Sequence, residues 1–194
     1  MIEVRVGPLH EVETEALLRP VSSELAAVTG VGRDVDLRVG EEIHERLRAL
    51  GTIPVGSAIV TPGGDLDVPF IIHVAVQSPE EAVTEAGIAR ALLNGLRRAS
   101  EWDMKSVALP PLGTGAGNLD PESSAAAMLP VLKSHLKVEA QPSSITIVVA
   151  NGYEEEIFRA ALARLDEAAE SETAGEGGVD VEEDSGGGPL EDPT

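Results

Sequence analysis

Residues Ser106–Leu129 read SVALPPLGTGAGNLDPESSAAAML, and the order of features along this stretch decides the fold. The apolar run SVALPPL reads as a buried strand, closed by Pro110 and Pro111 because proline cannot donate into a sheet ladder. Three alternating glycines follow in GTGAGN, and then a helix begins with legible capping. Asp120 is a good N-cap, Pro121 suits the first helical position where its missing N–H costs nothing, and Glu122 favours the positive end of the dipole. The glycine segment therefore sits between the carboxyl end of a strand and the start of a helix, where open α/β sheets bind their ligands. Glycine reaches φ values closed to other residues and brings backbone amides close to a phosphate. A tight turn is the plainer reading of a lone glycine loop, but strand, prolines, loop and capped helix together favour a ligand. The candidates are Gly113, Thr114, Gly115, Ala116, Gly117 and Asn118. The pattern lacks the acid-tipped second strand of a dinucleotide fingerprint and the Gly-Lys-Ser/Thr ending of a Walker loop.

Outward from this stretch, strand-like and helix-like segments alternate, which predicts an α/β layer structure. IEVRV at the start, EALLRPV near residue 18, GSAIVTP from Gly56, FIIHVAV from Phe70 and SITIVVA from Ser144 read as further strands. Near-continuous apolar runs of this kind suit strands buried on both faces beneath covering helices. VGEEIHERLRAL, EAGIARALLNGLRRASEW, SSAAAMLPVLKSHL and YEEEIFRAALARLDEAA have helical spacing. In the last of these Ile157, Ala161, Leu162 and Leu165 share a face that should dock on the sheet.

Composition narrows the function. The 194 residues are 42% apolar but only 2% aromatic, so one core is expected, filled by aliphatic side chains. Without cysteine there is no disulfide framework, thiolate metal site or cysteine nucleophile. The net charge is −20; residues 170–194 hold nine acids and no base, which leaves −11 on the rest. A surface of that sign repels a phosphodiester backbone, so a long nucleic acid is not an expected partner. A small anion remains admissible, since backbone N–H groups bind it without net positive charge. No apolar stretch suits a signal peptide or a membrane span, so a cytoplasmic location without membrane contact is expected. The domain is expected to cover residues 1–168. Residues 169–194, glycine-rich and acidic with few large apolar side chains, are expected to form a disordered solubilising or docking tail.

His10, His44, His73 and His135 lack the close spacing of a zinc helix, and hydrogen-bonded structural roles are expected for His44 and His73. No metal or cofactor is expected. Ser22, Ser23, Ser123 and Ser124 have no nucleophile elbow or neighbouring base, which argues against covalent serine catalysis.

ALPPLGTGAGNLDPESSA resembles the second phosphate-binding loop of macro domains, and other pieces follow the family's order over about 160 residues. GPL at Gly7 occupies the place of the family's GDI, and EALLRPVSSEL resembles the strand leading to its asparagine-rich first loop. VGEEIHERL, PVGSAIVTPGGDL and FIIHVAV resemble a helix with an Ile-His pair and two further strands. The resemblance implies a three-layer α/β/α fold with a mixed, mostly parallel central sheet. It also implies a cleft for ADP-ribose or a related nucleotide diphosphate, free or as an ADP-ribosylated protein, sometimes with hydrolysis of ADP-ribosyl bonds. The family's adenine-recognising aspartate falls at Pro8, and its first-loop asparagine near Ser22 or Ser23. The usual glycine triplet is replaced by VTGVGRDVDLRVG, in which Gly30, Val31 and Gly32 become the second wall of the cleft. Asp34 and Asp36 are the candidates for a catalytic carboxylate, although acids favoured by a helix N-terminus are the commoner reading. Asn151 stands where the family often places a base-stacking aromatic and is a further binding candidate, with a turn role before Gly152 equally open. The competing expectation is a macro fold without a ligand, serving as a protein-interaction domain through its surface and tail.

Overall fold

The computed structural model describes the backbone of residues 1–115 and 119–175 and side chains as far as Ser171. Ala116, Gly117 and Asn118 of the expected binding loop, and residues 176–194 of the expected tail, lie outside the described residues. Six strands form one sheet: β1 (Ile2–Val6), β2 (Ala16–Ser22), β3 (Ala58–Pro62), β4 (Phe70–Gln77), β5 (Ser106–Leu109) and β6 (Ser144–Val149). Their order across the sheet is β1-β6-β5-β2-β4-β3, and every neighbouring pair is parallel except β3 with β4. This is the mixed, mostly parallel sheet that the sequence led us to expect.

Five helices cover the two faces: α1 (Gly30–Asp36), α2 (Glu41–Leu50), α3 (Glu85–Glu101), α4 (Pro121–Val138) and α5 (Gly152–Gly175). Period-two alternation along the strands separates two cores. Ala16, Leu18, Ile72 and Val74 face α3, α4 and α5, meeting Leu92, Leu96, Met128, Leu132 and Phe158. Leu17, Val21, Ile71 and Ala108 face the other way, onto Val35 of α1 and Ile43 and Leu47 of α2. Aliphatic side chains supply nearly all of both clusters, as the scarcity of aromatics requires. Trp102, after α3, is instead 55% exposed and sits edge-on to Phe70 with ring centroids 5.4 Å apart. Gly95 lets α3 lie close on the sheet, since a Cβ there would fall 2.7 Å from Leu18 Cδ1 and 2.9 Å from Val74 Cγ1.

Two boundaries differ from expectation. No helix is expected over VTGVGRDVD, yet residues 30–36 are helical because Thr29 accepts the Gly32 N–H at 2.9 Å and Val35 is buried. Capping and burial together outweigh the low helix propensity of two glycines. At the far end α5 continues to Gly175, past residue 168, because AESETA contains no helix breaker. No described helix is long and apolar enough to cross a membrane.

Candidate functional site

β5 and β2 lie side by side, with Ala16 opposite Val107 and Leu17 opposite Ala108. From β2 the chain passes to α1 on one face, and from β5 to α4 on the other. Two connections diverging from neighbouring carboxyl ends leave a crevice between them. A cavity of about 240 Å³ occupies it. Thr29, Gly30 and Val31 form one wall; Pro110, Pro111, Thr114 and Gly115 form the other; Val148, Ala150 and Glu154 close the β6 end.

Local interactions hold the second wall. The buried Ser124 hydroxyl donates to Leu112 O at 2.7 Å, and the Leu112 N–H points to Met128 Sδ at 3.2 Å, so the strand end is pinned to α4. Gly113 turns at φ +83°, and the Leu119 N–H donates to its carbonyl at 2.9 Å, tying the ends of the loop together. Gly115 is required for a different reason: a Cβ there would stand 2.4 Å from Val28 O, so only a bare backbone lets the two walls meet. Asp120 caps α4 by accepting the Ser123 N–H at 2.7 Å, and that bond holds its carboxyl below the usual range.

The first wall is anchored from beneath by Arg19, which sequence reasoning missed. Its side chain is wholly buried. Nε donates to His73 Nδ1 at 2.9 Å, and the terminal nitrogens reach Gly32 O at 3.3 Å, Leu25 O at 3.5 Å and the Asp36 carboxylate. Burial lowers the Arg19 pKa while Asp36 opposes that shift. Burial, reinforced by the Arg19 charge, pushes His73 well below the ordinary imidazole value. Neutral His73 thus accepts at Nδ1, and its Nε2–H donates to Thr61 Oγ1 at 2.8 Å. Thr61 in turn donates to Pro62 O at 3.1 Å, which completes a chain of buried polar groups from β3 to α1. Leu25, with its side chain buried, is held at φ +64° in the turn that this network supports.

The expected site residues are distributed unevenly around this crevice. Thr114, Gly115, Gly30 and Val31 line the cavity, while Gly113 sets the turn behind it. Gly32 is buried, with its amide bonded to Thr29 and its carbonyl to Arg19. Ser22 and Ser23 do not line the cavity. Ser22 closes a turn with Ala26, and the Ser23 N–H donates to Gln77 O at 2.8 Å. Asn151 is exposed and caps α5, accepting the Glu154 N–H at 3.0 Å. Asp34 is exposed on α1. Asp36 serves as the counter-ion of Arg19 and borders a separate cavity of about 330 Å³ with His44, whose Nε2 contacts Asp36 O at 2.9 Å. Neither aspartate lines the glycine-walled crevice. The carboxylate that does is Glu154, one of the acids in the first turn of α5, which sequence reasoning did not single out. Among the described residues no group of three histidines and acids is placed to hold a metal ion.

A family model described as Macro domain matches residues 19–128. A protein of Aeropyrum pernix is 32% identical over 120 residues, an alignment spanning 61% of this chain and 64% of that relative. A macro domain-containing protein of Cupriavidus necator is 26% identical over 171 residues, spanning 84% of this chain and 96% of its own. Among solved structures, the Oceanobacillus iheyensis macrodomain with ADP superposes with a TM-score of 0.78 at 21% identity, covering 86% of this chain and 92% of that one. A variant of the same macrodomain with ADPR gives a TM-score of 0.74. At that identity the superposition establishes the shared architecture.

Proposed function

This chain belongs to the macro domain family, and on that footing we propose that it binds ADP-ribose or a related nucleotide diphosphate, free or attached to a protein, in the crevice between Thr29–Val31 and Pro110–Gly115. The observation that carries this reading is the open cavity beside the glycine turn, walled on both sides largely by backbone and small side chains. A plugged turn would have left nothing for an anion to enter. No lysine or arginine is among the described lining residues, so recognition falls to backbone amides, consistent with an acidic chain that binds an anionic ligand. At about 240 Å³ the cavity is smaller than the usual small-molecule site, which suits the phosphate-bearing middle of a ligand better than a whole nucleotide sugar. The macrodomains solved with ADP and ADPR support the same ligand class.

Hydrolysis of an ADP-ribosyl bond needs a water activated near the anomeric carbon, commonly by a carboxylate. Asp34 and Asp36 stand away from the crevice lining, so the reading we put forward is a binding module. Titration calorimetry with ADP-ribose tests it. The wild type should give saturable heat, and Gly115→Glu, whose side chain must enter the contact with Val28 O, should abolish that heat with the circular dichroism spectrum preserved. No saturable heat with ADP-ribose or ADP would leave the ligand-free interaction domain as the better account.

A further inference from the structure

Glu154 is the sole ionisable side chain among the described residues lining the crevice, and its surroundings define what it can do there. It is half-buried in the first turn of α5. Its backbone N–H donates to Asn151 Oδ1 at 3.0 Å, while its Oε2 accepts the Ala150 N–H at 2.9 Å. The carboxylate is thereby held at the β6 end of the cavity by its own backbone neighbours. Oε1 takes no hydrogen bond from any described residue. Among the described residues no cation neutralises it either: Arg159, on the same helix, is committed to Glu155 and to Val4 O. The residues nearest in sequence or across the α4 start add further acid, with Tyr153 Oη donating to Glu122 Oε1 at 3.1 Å.

A carboxylate with a spare acceptor and no counter-ion repels a second anion and attracts a hydrogen-bond donor. The crevice is accordingly two-ended, with backbone and glycine at one end and an acceptor at the other. We infer that Glu154 is a specificity-determining residue, selecting phosphate esters whose attached sugar or base brings a hydroxyl or amino donor to the β6 end. By the same contact it rejects ligands whose negative charge extends that far, such as bare pyrophosphate. This rests on the nucleotide-binding reading above, and it narrows that reading from anions in general to anions flanked by donors.

Calorimetry on the full chain with two probes, ADP-ribose and inorganic pyrophosphate, tests the assignment. Glu154→Gln keeps an oxygen for the Ala150 N–H and so preserves the local fold while removing the charge. ADP-ribose should weaken on the order of tenfold, the worth of a hydrogen bond to a charged acceptor, while pyrophosphate tightens. Glu155→Gln, one residue along and outside the crevice, should leave both affinities as in the wild type. Opposite movement of the two probes is a signature that a merely structural role for Glu154 does not produce. An unchanged ratio of the two affinities in Glu154→Gln, or the same shift from Glu155→Gln, overturns the assignment of Glu154 while nucleotide binding stands. Failure of the wild type to bind ADP-ribose overturns nucleotide binding and this inference with it.

Discussion

Replacing Arg19 with methionine tests how the first wall of the crevice is held. The substitution fills most of the volume but removes every donor, so His73 Nδ1, Gly32 O and Leu25 O lose their partner and Asp36 loses its counter-ion. The bond to Leu25 O, at 3.5 Å, contributes little, and Gly32 O keeps its place in the α1 hydrogen-bond ladder, whereas His73 Nδ1 belongs to a fully enclosed residue that water cannot readily reach. Orphaning that acceptor costs about 1–3 kcal/mol. The Asp36 side chain is 25% exposed and can rehydrate, which keeps its share at the low end of the range for a broken buried pair. Burying a thioether returns part of the loss through apolar contact. The net expectation is roughly 3 kcal/mol of destabilisation, a fall in melting temperature of about 6–12 °C for a domain of this size. Urea unfolding at pH 7 measures it, read as a lower midpoint at unchanged slope. A loss below about 1 kcal/mol, within the scatter of surface substitutions, would refute the claim that Arg19 anchors the wall.

Two further predictions concern stability. His73 is neutral in the fold with its pKa depressed, whereas in the unfolded chain it protonates near the ordinary value, so its contribution is complete above about pH 6.5 and is lost as pH falls below that point. Unfolding free energy at pH 5.5 should therefore drop relative to pH 7 by up to about 1.4 kcal/mol more in the wild type than in His73→Gln; parallel curves for the two proteins would contradict it. Gly95→Ala gains about 1 kcal/mol of helix propensity but drives a methyl against Val74 Cγ1, a β-branched atom that cannot rotate aside cheaply, so a net loss of about 1–2 kcal/mol is expected by thermal melting.

The architecture was legible where local signals agreed. In Ser106–Leu129 the strand, the prolines, the glycine turn and the Asp120 cap all point the same way, and each lies where it was expected as far as Gly115 and again from Leu119. What escaped reading depends on contacts distant in sequence. α1 forms despite Gly30 and Gly32 because Val35 finds a buried seat against the sheet, a fact that propensity does not carry. Arg19 is a charge within the apolar strand EALLRPV, and its partners come from afar: the β2–β4 register sets it opposite His73, and α1 brings Asp36 to it. Asp36 is a candidate for chemistry because the family resemblance calls for a carboxylate in the first loop, yet in the structure it pairs with that hidden arginine. Asn151 and Glu154 were both visible after the last strand, but the first turns back to cap its own helix and the second faces the crevice. No pattern in the sequence separates those two fates.

The crevice walls are rooted in different packing clusters, one around Val35 and Ile43 and the other around Met128 and Leu132. Gly115 on the second wall meets Val28 on the first, and Val28 packs against the Met128 cluster, so the two bodies of side chains touch there as well as through the strands between them. A ligand bound in the gap as proposed would span both walls like a tie-beam, so its occupancy would load helices on opposite faces of the sheet and not merely the turns that touch it.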